Sequence, residues 1–295
     1  MTKTNCRGSE QAKSALCVTP CTLVTPEQVK LLGREPDQLE REQSLLVEWS
    51  KMPNTLFKMN FPESLLSLHS PVKSFDLVRE LQWQTHASGG WKFDVSLKTS
   101  HGSLAKAGAP YPARIRGWIT PAADHLDLRL QLTNQSQQSL EPQSLFVCTG
   151  QNLPATVERV ITADFFMRDG KFLPWGPQEA EFMFAPANIS ALTKAGWQQY
   201  KWFESRDRKP PVRPHPPADG VRAGLINQGE RQFVVALVSD DAIVLGGKSS
   251  NPCQDLSLGF GPLRPNETAQ MSATWWFLEG GLDNLLTRLN TCKRG

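Results

Sequence analysis

Residues 124–140 read DHLDLRLQLTNQSQQSL. Leu126, Leu128, Leu130 and Leu132 take every second position, with Asp127, Arg129, Gln131 and Thr133 between them. That is the period of a strand with one buried and one wet face. The run stops at Asn134-Gln135-Ser136, residue types that favour turns. The leucines are expected to build one wall of a core. Their polar neighbours either meet solvent or line a shallow groove.

The same alternation recurs outward from this stretch. FDLVRELQW (75–83) and WKFDVSLK (91–98) both carry it, and QTHASGG (84–90) between them suits an antiparallel hairpin. Further strands are expected at 113–120, 125–133, 143–149, 158–167, 198–204, 221–227, 231–239, 242–246 and 270–279. About a dozen strands with few helices between them imply antiparallel pairing in two stacked sheets. The expected fold is therefore an all-β, two-sheet antiparallel β-sandwich with a few short helices. Thr25, Pro26, Gln28 and Gly33 mark one such helix, with Thr25 and Gln28 forming a capping box. Residues 188–196 and 282–290 suggest two more, the latter with Leu282, Leu285, Leu286 and Leu289 on one stripe. Residues 1–35 are read as an N-terminal arm with its short helix, and 36–295 as a single sandwich domain.

Composition narrows the function classes. The 295 residues carry 32 Lys+Arg and 29 Asp+Glu, so the net charge is 32 − 29 = +3. That balance gives no footprint for nucleic acid or an anionic membrane. No apolar run approaches the roughly 18 residues of a membrane span. The start has basic residues but no apolar signal region, so a cytoplasmic location is expected over a periplasmic or secreted one. The cysteines Cys6, Cys17, Cys21, Cys148, Cys253 and Cys292 include no C-x-x-C pair and none at zinc spacing with histidine. No metal or other cofactor is expected from these spacings. The first three are read as free thiols on the arm, with a bridge or a chance metal site as the alternative, and Cys148 as a small buried hydrophobe.

Three segments carry a family likeness. GWITPAADHLDLRLQLTNQSQQSL (117–140) resembles the part of galactose-mutarotase-like supersandwich proteins where an alternating strand runs into a T-N-x-S turn. GPLRPNETAQMSATWWFLEGGLDNL (261–285) is similar to their late strand, introduced by a P-x-E-T turn. ERVITADFFMRDGKFLPW (158–175) resembles uncharacterised bacterial members of the group. The likeness spans about residues 75–285 at the level of pattern, and it implies a supersandwich that binds or processes carbohydrate. The family's epimerases use a His and a Glu facing the sugar. Their histidine motif has no counterpart here, so no catalytic residue is carried over.

Read from the residues alone, several groups have the right chemistry for a sugar. Tryptophan is abundant, nine residues against two tyrosines, and Trp175, Trp197 and Trp202 fall in loop-like segments. Flat rings there would stack on a sugar, or else simply anchor loops. The proline-stiffened loop 200–220 crowds Arg206, Arg208 and Arg213 around Glu204, Asp207 and His215. Those guanidinium forks suit carboxylates or sulfates, and ordinary surface pairing is the alternative. Glu158, Asp164 and Arg168 share one strand face, where two carboxylates could divide acid and base roles, or form structural ion pairs. His86, beside Gly89 and Gly90, is a candidate base at a sheet end, or a polar turn residue.

Together these give the expected catalytic set as His86, Glu158, Asp164, Glu204 and His215. The expected substrate-binding set is Trp175, Trp202, Arg168, Arg206, Arg208 and Arg213. The motifs of nucleotide chemistry, serine hydrolysis and zinc proteolysis are absent. The expected partner is a carbohydrate, with neither nucleic acid nor membrane. The reading is a carbohydrate-active enzyme of hydrolase, lyase or epimerase type acting on an anionic poly- or oligosaccharide. The alternative is a non-catalytic sandwich that binds glycan or another protein.

Overall fold

The computed structural model describes residues 15–25, 27–29, 44–53, 55–67, 73–76, 81–86, 89–97, 113–151, 161–176, 182–185, 188–196, 216–248 and 251–292. They form two nine-stranded sheets whose ladders are all antiparallel.

Sheet A is built from β1 (Leu16–Pro20), β2 (Leu45–Trp49), β3 (Leu56–Ser67), β4 (Lys73–Asp76), β9 (Gln143–Gln151), β12 (Phe182–Ala185), β13 (Asn188–Leu192), β16 (Ala242–Lys248) and β17 (Asn251–Phe260). Its order is β1-β2-β3-β9-β17-β16-β13-β12, with β4 branching from β3. Sheet B contains β5 (Gln84–Thr85), β6 (Trp91–Leu97), β7 (Ala113–Pro121), β8 (His125–Asn134), β10 (Ile161–Arg168), β11 (Lys171–Pro174), β14 (Val221–Gln228), β15 (Arg231–Val238) and β18 (Thr268–Glu279). Its order is β11-β10-β14-β15-β18-β8-β7-β6-β5.

The opening stretch does what its period demands. Leu126, Leu128, Leu130 and Leu132 are buried between the sheets, while Asp127 and Arg129 are exposed, so the polar face meets solvent. The two turns that carry the family likeness lock onto each other. Asn134 closes its own turn by accepting from the Ser136 N–H and hydroxyl, and its amide donates to the carbonyls of Gln138, Leu263 and Arg264. The Asn266 N–H donates to the Asn134 carbonyl, and the Asn134 N–H to that of Glu267.

The core is aromatic at its centre. Phe277 meets Trp49, Phe57 and Trp275 with ring centroids 5.7, 5.3 and 4.8 Å apart, edge-on or tilted as ring quadrupoles prefer. Helix α1 (Leu282–Cys292) covers the outer face of sheet B by burying Leu285 and Leu289 against Val221, Ala223, Val234 and Ala236. The capping box also forms: the Gln28 N–H donates to Thr25 Oγ1 and the Thr25 N–H to Gln28 Oε1.

The structure corrects several expectations. Leu16–Pro20 is no arm but the edge strand of sheet A, because Leu16 and Val18 alternate into the core. Cys17 is disulfide-bonded, not a free thiol, while Cys21 is buried and outside any disulfide. Asn188–Leu192 is a strand, since its five residues pair with β16, and only residues 194–196 turn helical. Of the strand expected at 75–83, Phe75 and Asp76 belong to β4 of sheet A, residues 81–83 are not in a strand, and residues 77–80 lie outside the described residues. The expected strand 198–204 lies outside the described residues.

Candidate functional site

The outer face of sheet A carries a row of polar side chains at right angles to its strands. Asn60 on β3 stands opposite Cys148 on β9, Cys148 opposite Asp255 on β17, and Asp255 opposite Gly246 on β16. Ser44, just before β2, extends the row by donating to Asn60 Oδ1 at 2.5 Å. Asn60 Nδ2 in turn donates to Glu63 Oε2 at 3.1 Å. Glu63 reaches the row because β3 bulges: the four steps along the chain from Asn60 to Ser64 are matched by only two on β9, from Cys148 to Phe146. Bulges of this kind re-aim side chains.

These positions face outward because their neighbours face inward. Met59, Phe61, Val147, Leu256 and Leu258 all belong to the core. One end of the row is walled by the N-terminal helical turn, where Val24 and Val29 pack on Leu46 and Leu56, and Gln28 donates to Glu48. Midway along the row, one donor atom from each of Cys148, Cys253 and Asp255 lies within 4.8 Å of the others. The hydrogen bond shared with Cys253, together with burial and the negative field of Asp255 and Glu63, pushes the Cys148 thiol up well above its ordinary range. Cys148 does not point into the core as a small buried hydrophobe would, since its neighbour Val147 does. It is half-buried on the outer face beside a second thiol.

On the inner side of the same strands lies a buried cation. Arg222, on β14, is fully buried, and its guanidinium donates to the carbonyls of Phe165 at 3.1 Å, Gly246 at 3.3 Å and Cys253 at 3.4 Å. It stacks 3.7 Å from the Trp175 ring and lies 3.7 Å from the Asp164 carboxylate. Burial lowers it to about 10, against the pull of Asp164, Asp255 and Cys253, so it stays charged at neutral pH. Gly247 makes the room: a Cβ there would stand 2.8 Å from Arg222 Nη2 and 3.2 Å from the Trp175 indole nitrogen.

Of the expected site residues, Asp164, Arg168 and Trp175 come together around Arg222 and Phe166. The Arg168 guanidinium sits 4.9 Å over the Phe166 ring, which meets Trp175 edge-on. Trp175 already has Arg222 on one ring face, so the structure places it as an anchor between the sheets. His86 lies at the β5 end of sheet B, where its N–H and carbonyl close the turn with Gly90 and Gly89. From β10 to β5 the sheet runs seven strand positions, 9 − 2, so His86 and Asp164 do not meet. Glu158, Trp202, Glu204, Arg206, Arg208, Arg213 and His215 lie outside the described residues. So do Trp197 and the loop 200–220 up to residue 215.

The sequence reading missed Arg222, Glu63, Cys253 and Asp255. For the last two a signal existed: Gln254, Leu256, Leu258 and Phe260 alternate with Cys253, Asp255 and Ser257, the mark of a strand with one face in the core.

No family model matches this sequence, and no curated protein matches it. Solved structures do. A galactose mutarotase related enzyme from Lactobacillus acidophilus is similar at 10% identity and a TM-score of 0.45, over 81% of this chain and 89% of that one. A galactose mutarotase-like protein from Lactobacillus casei is similar at 10% identity and a TM-score of 0.41, over 81% of this chain and 95% of that one. An alpha-galactosidase from Geobacillus stearothermophilus is similar at 9% identity and a TM-score of 0.37, over 74% of this chain but only 30% of that one. At these identities and scores the likeness assigns no activity.

Proposed function

We propose that this chain is a carbohydrate-facing protein whose ligand lies along the outer face of sheet A, over the half-buried Asn60 and Glu63, with the buried Ser44 and Asp255 completing the row. The observation that carries the reading is the row itself: alternating hydroxyl, amide, carboxylate and thiol groups held on rigid neighbouring strands. Sugar recognition needs a few such polar groups at fixed spacings, since each ring hydroxyl both donates and accepts. The outer face of sheet B offers less room, because α1 covers part of it and Arg114 pairs with Asp94 elsewhere on it.

As an enzyme, the chain would draw its acid and base from the carboxylates of that face, Glu63 and Asp255, and act as a hydrolase, lyase or epimerase. The preference for an anionic poly- or oligosaccharide rests on the arginines of the 200–220 loop. The non-catalytic alternative uses the same row as a binding surface alone.

The test is a panel of neutral, uronic-acid and sulfated saccharides, titrated calorimetrically and then examined for products by mass spectrometry. Binding by the wild type, weakened at least about tenfold in Glu63→Gln through loss of a charged hydrogen-bonding partner, is the expected result. Shortened or unsaturated products would make the chain an enzyme, and binding without product would favour the alternative. A panel that is neither bound nor altered overturns the reading.

A further inference from the structure

We propose that Cys148, Cys253 and Asp255 bind a thiophilic divalent metal ion such as Zn²⁺ on the outer face of sheet A, with a fourth coordination position open. The inference stands on the donor set and not on the sugar reading.

The strand register builds the site. Cys253 and Asp255 are two apart on β17 and so share a face, and Cys148 stands directly opposite Asp255 on β9. One sulfur from each cysteine and one carboxylate oxygen lie within 4.8 Å of each other. A tetrahedral ion with Zn–S bonds of about 2.3 Å needs donors about 3.8 Å apart, a closure that side-chain rotation supplies. Two sulfurs and one oxygen fill three of four tetrahedral corners, and among the described residues no fourth donor joins them, the arrangement of a zinc site that keeps a position for water or a ligand. Thiolates select soft and borderline ions, so Zn²⁺, Co²⁺ or Cd²⁺ is favoured over Mg²⁺ or Ca²⁺.

The register also argues against a disulfide. Cys148 and Cys253 are diagonal neighbours, whose Cα atoms in a regular ladder are about 7–8 Å apart, beyond the usual span of about 4.4–6.8 Å for a bridge. An ion captured there would be held by deprotonated donors, as thiolate and carboxylate ligands to zinc are. The spacing rules that flagged no metal ligands along the chain could not see this set, because its two cysteines sit on different strands.

Titrating the full chain with Co²⁺, the Cys17 disulfide left intact, tests the site. We expect saturation at a single equivalent, with thiolate-to-cobalt charge-transfer absorption in the near ultraviolet and visible bands of tetrahedral shape. Cys148→Ser and Cys253→Ser should each abolish the charge-transfer band. Asp255→Asn should weaken binding by more than about tenfold, at least what loss of an outer-shell partner does. Cys292→Ser should leave the spectrum unchanged, since that thiol is exposed on α1. Should the strand variants fail to fold, alkylation of the wild type decides. Zn²⁺ should protect Cys148 and Cys253 but not Cys292, with labelling mapped by mass spectrometry. No band in the wild type, a band that survives Cys148→Ser, or labelling indifferent to Zn²⁺ overturns the proposal.

Discussion

Arg222 is a full charge taken out of water, and its surroundings explain why the fold keeps it. Three carbonyls from three strands receive its N–H groups, Trp175 covers one face of its plane, and Asp164 faces it at 3.7 Å. Two of those carbonyls, Gly246 and Cys253, belong to sheet A and the third, Phe165, to sheet B. The guanidinium thus ties the sheets together and fixes the backbone from which Cys253 points the other way. Removing one partner of a buried, hydrogen-bonded ion pair costs about 3–5 kcal/mol, so Arg222→Met is expected to lower stability by that order. Gly247→Ala drives a methyl group into the guanidinium and into the Cys253 carbonyl, each 2.8 Å away, and is expected to cost about 1–3 kcal/mol. Denaturant unfolding reads both; a loss under about 0.5 kcal/mol for Arg222→Met, the range of ordinary surface changes, would mean the charge ties nothing. None of this was legible in the sequence. The strand VRAGLINQ is buried on both faces, by the core on one side and α1 on the other, so its alternation does not say where Arg222 points.

At the scale of elements, α1 is held to sheet B by its leucines and by polar contacts at its rim. Arg288 pairs with Asp124, which also accepts from His125 Nδ1 at 2.8 Å, while His125 lies against Trp276 with ring centroids 4.5 Å apart. Burial alone would raise the Asp124 carboxyl, but the hydrogen bonds from His125 and Arg288 outweigh it and hold the group below the usual carboxylate range. A depressed folded-state value means the stabilisation is present above the unfolded value, near 3.9, and is lost as pH falls through the folded one. Asp124→Asn should therefore lower Tm at pH 7, by an amount worth less than about 1 kcal/mol for so exposed a pair. The difference from wild type should shrink towards zero as pH falls below about 4. A gap that stays constant down to acid would show that the carboxylate charge is not what matters. Elements also divide cleanly by legibility. β8 and α1 were readable because each has one core face and one wet face, leucines against charges at period 2 or 3.6. β13 was misread because NISAL has no such contrast, and its conformation comes from the five-residue ladder with β16. β17 carried the signal in its second half, but NPC at its start reads as a turn.

At the scale of the whole molecule, the two sheets are one cooperative body only if something other than apolar contact keeps their ends in step. The Trp91 indole N–H, on β6 of sheet B, donates to the Val18 carbonyl on β1 of sheet A at 2.8 Å, inside the core. β1 is an edge strand, held by its ladder with β2 and by the hydrogen bond from the Ser50 N–H to the Ala15 carbonyl. It also leads into the helical turn that walls the polar row, so whatever loosens β1 loosens that wall. The architecture was legible from alternation alone, but this cross-sheet tie was not, since nothing in LCVTP announces an indole partner 73 residues away. Trp91→Phe keeps an aromatic ring in place but leaves the buried Val18 carbonyl without that donor, a change worth about 1–3 kcal/mol. If the tie couples the sheets, calorimetry should show the entire unfolding transition moved down by a few degrees, still as a single peak. If it serves β1 alone, Tm should hold while limited proteolysis begins to cut near residues 15–25. The first outcome makes the N-terminal strand an integral member of the sandwich; the second makes it a detachable cover on the face where Asn60, Cys148 and Asp255 are aligned.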